Sequence, residues 1–286
     1  MFNKIHLIGV GLINGSLAID IKRQRLANKV IGIGRNKERL IKAQESSFID
    51  DYQLLRDINI SDSDIVVIGV PVSSIKSIFS LLKPSLSSHT LVTDVGSTKQ
   101  NIIQDAREVF NEVPANFVPG HPIAGGEQSG FEFAVEGLFK DRKVILTPEK
   151  NTEMGAIQKV KNMWQSVGAD VDEMDAEKHD AILSATSHLP HIVAYTLVNY
   201  LSERGDADQI FNYAAGGFYD FTRIASSDPV MWSDICLANK ERLLESIDGF
   251  SESLKIMRRA IEKQDNETIY KLLKQAKEMR DTNLLK

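Results

Sequence analysis

Ile5-His6-Leu7-Ile8-Gly9-Val10-Gly11-Leu12-Ile13-Asn14-Gly15-Ser16-Leu17-Ala18 is the stretch that decides the fold. An apolar run, a glycine turn and a helix start this near the first residue are where a dinucleotide-binding α/β domain commonly begins. Gly9 permits the tight turn, and Gly11 lets backbone approach a pyrophosphate. The helix opening at Leu12 and Ile13 offers free N–H groups and a positive dipole end. The third glycine of G-x-G-x-x-G is replaced by Asn14, with Gly15 after it. That position wants a small residue for close helix–strand packing, so Asn14 is a departure, although asparagine tolerates unusual backbone angles and can donate to a phosphate.

A glycine turn of this kind also occurs in unrelated α/β domains. Its weight grows because a second β-rich run, residues 30–33, arrives roughly 20 residues later, as a dinucleotide fold requires. NAD-selective sites usually end that strand with Asp or Glu, and here it ends Gly34-Arg35-Asn36. Arg35 can stack on adenine or pair with a 2′-phosphate, which tilts the cofactor toward NADP, or it can be a surface arginine. NAD and NADP both stay open. Val70 and Pro71, where the run 64–70 ends, complete the cofactor-binding candidates Gly9, Gly11, Leu12, Ile13, Asn14 and Arg35.

Working outward, residues 5–10, 30–33, 64–70, 90–94 and 143–147 are short, Val/Ile-rich runs bounded by turn residues, with amphipathic stretches such as 38–45 and 98–110 between them. Strands alternating with helices imply βαβ units and a mainly parallel, doubly wound sheet. Near residue 175 the pattern turns helical: 176–203 interrupted by Pro190, then 229–257 and 267–279, with Asp265-Asn266 as the N-cap of the last. The expected division is therefore a dinucleotide-binding domain over 1–173 and an all-α domain over 174–286. By analogy with other dinucleotide enzymes, the helical part would form a dimer interface.

The chain has 286 residues, 42% of them hydrophobic, which suits a globular protein of about two domains. Thirty-four Lys and Arg against 39 Asp and Glu leave a formal charge of −5, which argues against a nucleic-acid partner. Cys236 is the single cysteine, so no intrachain disulfide can form and a reducing compartment, the cytoplasm, is expected. Gly9, Gly11, Asn14 and Gly15 interrupt the apolar N-terminus, and Asp20, Lys22 and Arg23 follow at once. Neither a signal peptide nor a run of ~18 uninterrupted apolar residues is expected, and hence no membrane partner.

Four segments suggest chemistry. Asp94-Val95-Gly96-Ser97-Thr98-Lys99 follows a strand, so Ser97 and Lys99 are expected to project at the carboxyl edge of the sheet, where open α/β folds bind ligands. Gly120-His121-Pro122-Ile123-Ala124-Gly125-Gly126 puts His121 on a Gly/Pro-rich loop, a setting that favours a general base over a turn-capping histidine. Glu127 and Ser129 beyond it could orient that base, meet substrate, or be plain loop polarity. Ser187-His188-Leu189-Pro190-His191 carries two histidines three apart, but has neither the i, i+4 spacing with a Glu between nor Cys partners, so no metal site is expected. His191 either faces substrate or is a core histidine bonded to backbone. In 216–232, Gly216 permits close approach and Arg223 offers a bidentate fork for a carboxylate. An Asp220–Arg223 surface pair is the plainer alternative.

GVGLINGSLA, DVGSTK, GHPIAGGEQSG, SHLPH and GGFYDFTRIASSDPVMW, in that order, resemble the prephenate/arogenate (cyclohexadienyl) dehydrogenase family across essentially the whole chain. The resemblance implies an NAD(P)-dependent oxidative decarboxylation in tyrosine biosynthesis, with prephenate or arogenate as the small-molecule substrate, and a homodimer. It implies His121 as the catalytic base and Ser97 as its hydrogen-bonding neighbour. His191 and Arg223 would line the substrate pocket, with Glu127, Gly216 and Asp220 beside them, and Trp232 would approach the neighbouring subunit's site. Tyr219 stands where some relatives carry a Lys, so no role passes to it. With Lys286 the last residue, no appended regulatory or mutase domain is expected. Two rivals stay open: a β-hydroxyacid dehydrogenase or imine reductase using a helical lysine such as Lys240, and a non-enzymatic NAD(P)-sensing dimer.

Overall fold

Alternation along β1 (Phe2–Ile8) sets the layers. Ile5 and Leu7 point into one apolar cluster and Ile8 into another, so both faces of the strand are buried. The same division runs along β4 (Ile65–Ile68), with Ile65 and Val67 on one side and Val66 and Ile68 on the other. Strands buried on both faces read as continuous apolar runs, which is why these were visible in the sequence. The computed structural model describes residues 1–126, 128 and 130–284.

With β2 (Ala27–Gly34), β3 (Asp51–Leu54), β5 (Leu91–Asp94) and β6 (Phe117–Val118), these strands form one parallel sheet of order β3-β2-β1-β4-β5-β6. The connecting helices are α1 (Leu12–Arg23), α2 (Lys37–Glu45), α3 (Ile75–Leu82) and α4 (Gln100–Phe110). α1 and α2 contribute Leu17, Ile21 and Leu40 to one face of the sheet, and α3 and α4 contribute Ile78, Phe79 and Ile102 to the other. The doubly wound parallel sheet expected from the sequence is therefore present. Strand order reverses between β1 and β4, which opens a crevice at their carboxyl ends.

After β6 the chain leaves this sheet through Pro119. It enters a second, three-stranded one made of β7 (Gly120–Pro122), β8 (Lys143–Leu146) and β9 (Asp170–Glu173), with α5 (Met154–Ser166) before β9. β7 runs antiparallel to β8, and β9 parallel to it. His121 therefore sits on a short strand, opposite Ile145, and not on the loop expected from its Gly/Pro surroundings.

α6 (Ala176–Leu183) and α7 (Leu189–Ser202) run as one 27-residue helix through a π turn over Ser184–His188. Pro190 has no N–H to continue the α ladder, and Leu189 N bonds back five residues to Ser184 O, so the interruption expected there becomes a widened turn rather than a break. By length and mean hydropathy this helix could cross a membrane, although no single run in the sequence is uninterrupted. Its His179, Asp180, Ser184 and His188 are buried polar residues. α8 (Ala207–Asn212), α9 (Gly216–Thr222) and α10 (Pro229–Ala238) follow. All pack within one compact unit, Met1–Lys240. The second unit, Glu241–Lys286, carries α11 (Lys240–Glu262) and α12 (Asn266–Leu284). Asp265 caps α12 by accepting from Thr268 N at 3.0 Å.

Candidate active site

The crevice between β1 and β4 is built by backbone. Gly9 has φ +79°, and a Cβ there would stand 2.5 Å from Gly69 O, so both conformation and space exclude a side chain. Gly11 precedes the first turn of α1, and among the described residues nothing lies within 4 Å of where its Cβ would stand. Free N–H groups at a helix start with open space before them form a cradle for a dinucleotide pyrophosphate, so these residues fit the expected cofactor. Leu12, Ile13, Val70 and Pro71 line a cavity of about 340 Å³ that Ser97 and His121 also line. Exposed Arg35 sits at the far end of the same crevice with Gly9, Gly11, Val70 and Pro71.

Asn14 does something other than meet a phosphate. It is 1% exposed, and its amide donates to Ile8 O and Gly9 O at 3.1 Å and to Val67 O at 3.3 Å. Asn14 thus braces the turn from beneath and ties β1 to β4. The room comes from Gly69, where a Cβ would lie 2.5 Å from Asn14 Nδ2. The small residue expected on α1 has moved to the facing strand end.

The imidazoles form a chain that local sequence did not reveal. His121 Nδ1 pairs with His179 Nε2 at 2.8 Å, and His179 Nδ1 pairs with Asp180 Oδ1 at 2.7 Å. Asp180 also accepts from Lys99 N and Gln100 N, both at 2.9 Å, at the start of α4, which is the acceptor role of a carboxylate. The proton order follows. Asp180 requires N–H at His179 Nδ1, so His179 Nε2 is an acceptor, so His121 Nδ1 carries a hydrogen. His121 Nε2 is left with its lone pair for the cavity. Burial, then the neighbouring His179, Lys99 and His188, holds the His121 pKa well below the usual 6.5, and burial lowers His179 too. Both rings are neutral at neutral pH.

Ser97 lines the same cavity without bonding to the His121 ring, whose orientation comes from His179 instead. Lys99, expected at the sheet edge beside Ser97, turns inward and is fully buried. Its Nζ pairs with Asp94 and donates to Gly120 O at 2.6 Å.

Past the π turn, His191 is half-buried. Its Nδ1 donates to Ser187 O at 2.8 Å, and its ring stacks on Trp232 with centroids 3.6 Å apart. It is held by backbone and by an aromatic platform, with Nε2 remaining. Trp232 is buried in its own chain, between His191 and the edge of His188. Asn239 joins the two histidine groups, donating to Asp180 O at 2.9 Å and meeting His188 Nδ1 at 3.2 Å. Arg223 borders a second cavity that shares Leu12, Gly125, Gly126 and Gln128 with the first. Gly216 and Asp220 are exposed on α9, and among the described residues nothing lies within 4 Å of where a Gly216 Cβ would stand. Glu127 and Ser129 lie outside the described residues. His179, Asp180 and Asn239 are the site residues that sequence patterns did not single out.

The geometry has counterparts. The family model for the prephenate dehydrogenase nucleotide-binding domain matches residues 17–173, and the model for the prephenate dehydrogenase dimerization domain matches residues 175–275. A prephenate dehydrogenase of Bacillus subtilis is 37% identical, over 98% of this chain and 76% of its own length. A cyclohexadienyl dehydrogenase of Zymomonas mobilis is 33% identical, over 98% of this chain and 96% of its own. The crystal structure of prephenate dehydrogenase from A. aeolicus, in complex with hydroxyphenyl propionate and NAD+, superposes with a TM-score of 0.91 at 37% identity, covering 99% of this chain and 98% of that one.

Proposed function

The chain belongs to the prephenate dehydrogenase family and is a nicotinamide-dependent dehydrogenase, and from that premise we propose that it converts prephenate to 4-hydroxyphenylpyruvate and carbon dioxide in tyrosine biosynthesis. The observation that carries this is a neutral His121 whose free Nε2 belongs to the cavity that runs to the glycine turn. The nicotinamide, when bound, supplies the hydride acceptor. His121 Nε2 takes the proton of the substrate's C4 hydroxyl as C4 is oxidised. The bond from C1 to its carboxylate then breaks, carbon dioxide leaves, and the electron pair makes the ring aromatic. His179 and Asp180 support the charge that reaches the His121 ring. Ser97 shares the hydroxyl's hydrogen bonds, Arg223 grips a substrate carboxylate bidentately, and His191 presents Nε2 from its stack on Trp232.

Glu127, Gly216 and Asp220 belong to the substrate side in this assignment, and Leu12, Ile13, Val70 and Pro71 to the cofactor side. Arg35 favours NADP, because a guanidinium stands where NAD-selective enzymes place an acid. The protein works as a cytoplasmic homodimer. The match to a dimerization domain supports this, as do the exposed Leu244, Phe250, Leu254 and Ile261 of α11, which need cover.

Initial rates of nicotinamide reduction with prephenate and with arogenate, each with NAD and with NADP, test the assignment. Turnover of prephenate with NADP preferred supports all of it, and preferred turnover of arogenate replaces the substrate. Equal use of both cofactors removes Arg35 from the site. Cofactor binding with no turnover of either substrate would leave a nucleotide sensor.

A further inference from the structure

The strand that carries His121 is held by an ion pair the reaction itself does not use. Asp94, at the end of β5, accepts from Gly96 N at 2.8 Å, from Gly120 N at 3.2 Å and from Lys99 Nζ. Three donors converge on this one carboxylate, and Lys99 is the side chain that reaches it; burial pushes the Lys99 ammonium below its ordinary pKa, and Asp94 beside it opposes that. Lys99 Nζ also donates to Gly120 O at 2.6 Å. Gly120, the residue preceding His121, is thus gripped through both its backbone groups, its N–H by Asp94 and its C=O by Lys99. Both side chains are 0% exposed. Gly120 suits the grip, since a Cβ there would stand 3.1 Å from Asp94 O.

Buried ion pairs seldom add net stability, so one placed here calls for another account. We propose that Lys99, anchored by Asp94, is a positioning residue for the oxidation, fixing the His121 strand and keeping the His121 ring unprotonated as substrate binds. The groups facing His121 are His179 at 2.8 Å, Lys99 through Gly120, His188 farther along the helix, and the carboxylates Asp94 and Asp180. Of these, the carboxylates favour a protonated ring, and the Lys99 ammonium opposes it from inside the protein, where solvent screens little. Asp94 is spent on Lys99 and the two peptide N–H groups, and Asp180 is spent on His179 and α4. This assignment rests on His121 being the base.

The test is the pH profile of kcat/KM for prephenate in the full-length protein. In the double variant Asp94→Asn/Lys99→Met, which removes both charges together, the acid limb should move up by about one pH unit or more. Cofactor Kd should stay within about twofold, as expected for a cradle left intact. Lys99→Arg keeps the charge, so its acid limb should stay at the wild-type pH even where kcat falls. An unmoved limb in the double variant would overturn the proposal, as would a Lys99→Arg limb that moves as far as the double variant's. Should the double variant not fold, imidazole ¹H–¹⁵N correlations on the wild-type protein decide the matter. A His121 that stays neutral and Nδ1-protonated well below pH 6.5 is expected, and one that titrates near 6.5 overturns it. Failure of the base assignment is read separately: His121→Asn with wild-type turnover would sink the base and the Lys99 role that rests on it, whereas an unmoved acid limb in the double variant sinks the Lys99 role alone.

Discussion

The cofactor cradle and the imidazole cluster are built on opposite plans. The cradle comes from one contiguous stretch, Gly9 to Gly15, and works through backbone: a positive φ, a missing Cβ, a helix start. The cluster draws His121 from a three-residue strand, His179 and Asp180 from α6, Lys99 from the turn before α4, and Asn239 from the end of α10. It works through side chains more than fifty residues apart, as in the His121–His179 pair. A backbone site tolerates its neighbours but no added atom. A side-chain relay tolerates bulk nearby but not the loss of one proton position.

Breaking the relay should cost most. His121→Asn should lower kcat by ~10²–10⁴-fold, the usual contribution of a general base, with little change in cofactor affinity. Wild-type kcat would remove His121 from the chemistry. Asp180→Asn preserves shape but cannot hold His179 as an Nδ1 donor, so kcat should fall by about 10²-fold, less than the ~10⁴ the same exchange costs a serine-protease triad. A result within threefold of wild type would mean that the proton order is set elsewhere.

The cradle sharpens the contrast through two glycines. Gly11→Ala meets no atom of the described residues within 4 Å, so the fold should hold its melting temperature while cofactor Kd rises about tenfold, some 1.4 kcal/mol. Gly9→Ala should instead destabilise the chain by ~1–3 kcal/mol, because its Cβ meets Gly69 O at an unfavourable φ. Identical effects of the two on melting would contradict the division between room for a ligand and room for a strand.

The smallest effect is on stability against pH. His6 in β1 and His188 in the π turn are both held down to about 4 by burial. The unfolded chain binds these protons at the ordinary value, near 6.5, before the folded chain does. Stability should therefore be constant above that pH and fall as pH drops from 6.5 toward 4, by up to about 1.4 kcal/mol per pH unit for each group. Urea midpoints at pH 7, 5.5 and 4.5 measure it, and a flat series would mean that both rings take up their protons in the fold at the same pH as in the unfolded chain.

This contrast also explains what was legible in the sequence. β1, β2, β4, β5 and β8 were visible because burial makes them Val/Ile-rich. β3 reads Asp-Tyr-Gln-Leu and β9 reads Asp-Val-Asp-Glu, four-residue strands whose polar residues leave a single strand former each, Tyr52 and Val171, and no apolar run to see. β9 forms because β8 pairs with it and because Lys143 meets Asp170 and Asp172, both at 2.7 Å. His121 and Ser97 were recognisable from their Gly/Pro settings, although the strand under His121 was not. His179 and Asp180 sit in Ala-Glu-Lys-His-Asp-Ala-Ile-Leu, a helix like any on a surface, and only the fold brings them to His121. Asn14 stood out as an exception, but its purpose depended on Gly69, fifty-five positions away.

That interlock between Asn14 and Gly69 makes history matter. A chain carrying Asn14 cannot accept even alanine at 69, whereas a chain that first shrinks residue 14 can. Substitutions at the two positions are therefore ordered in time, and lineages that crossed from one arrangement to the other would have passed through a state small at both sites, where the floor of the nucleotide turn is least supported.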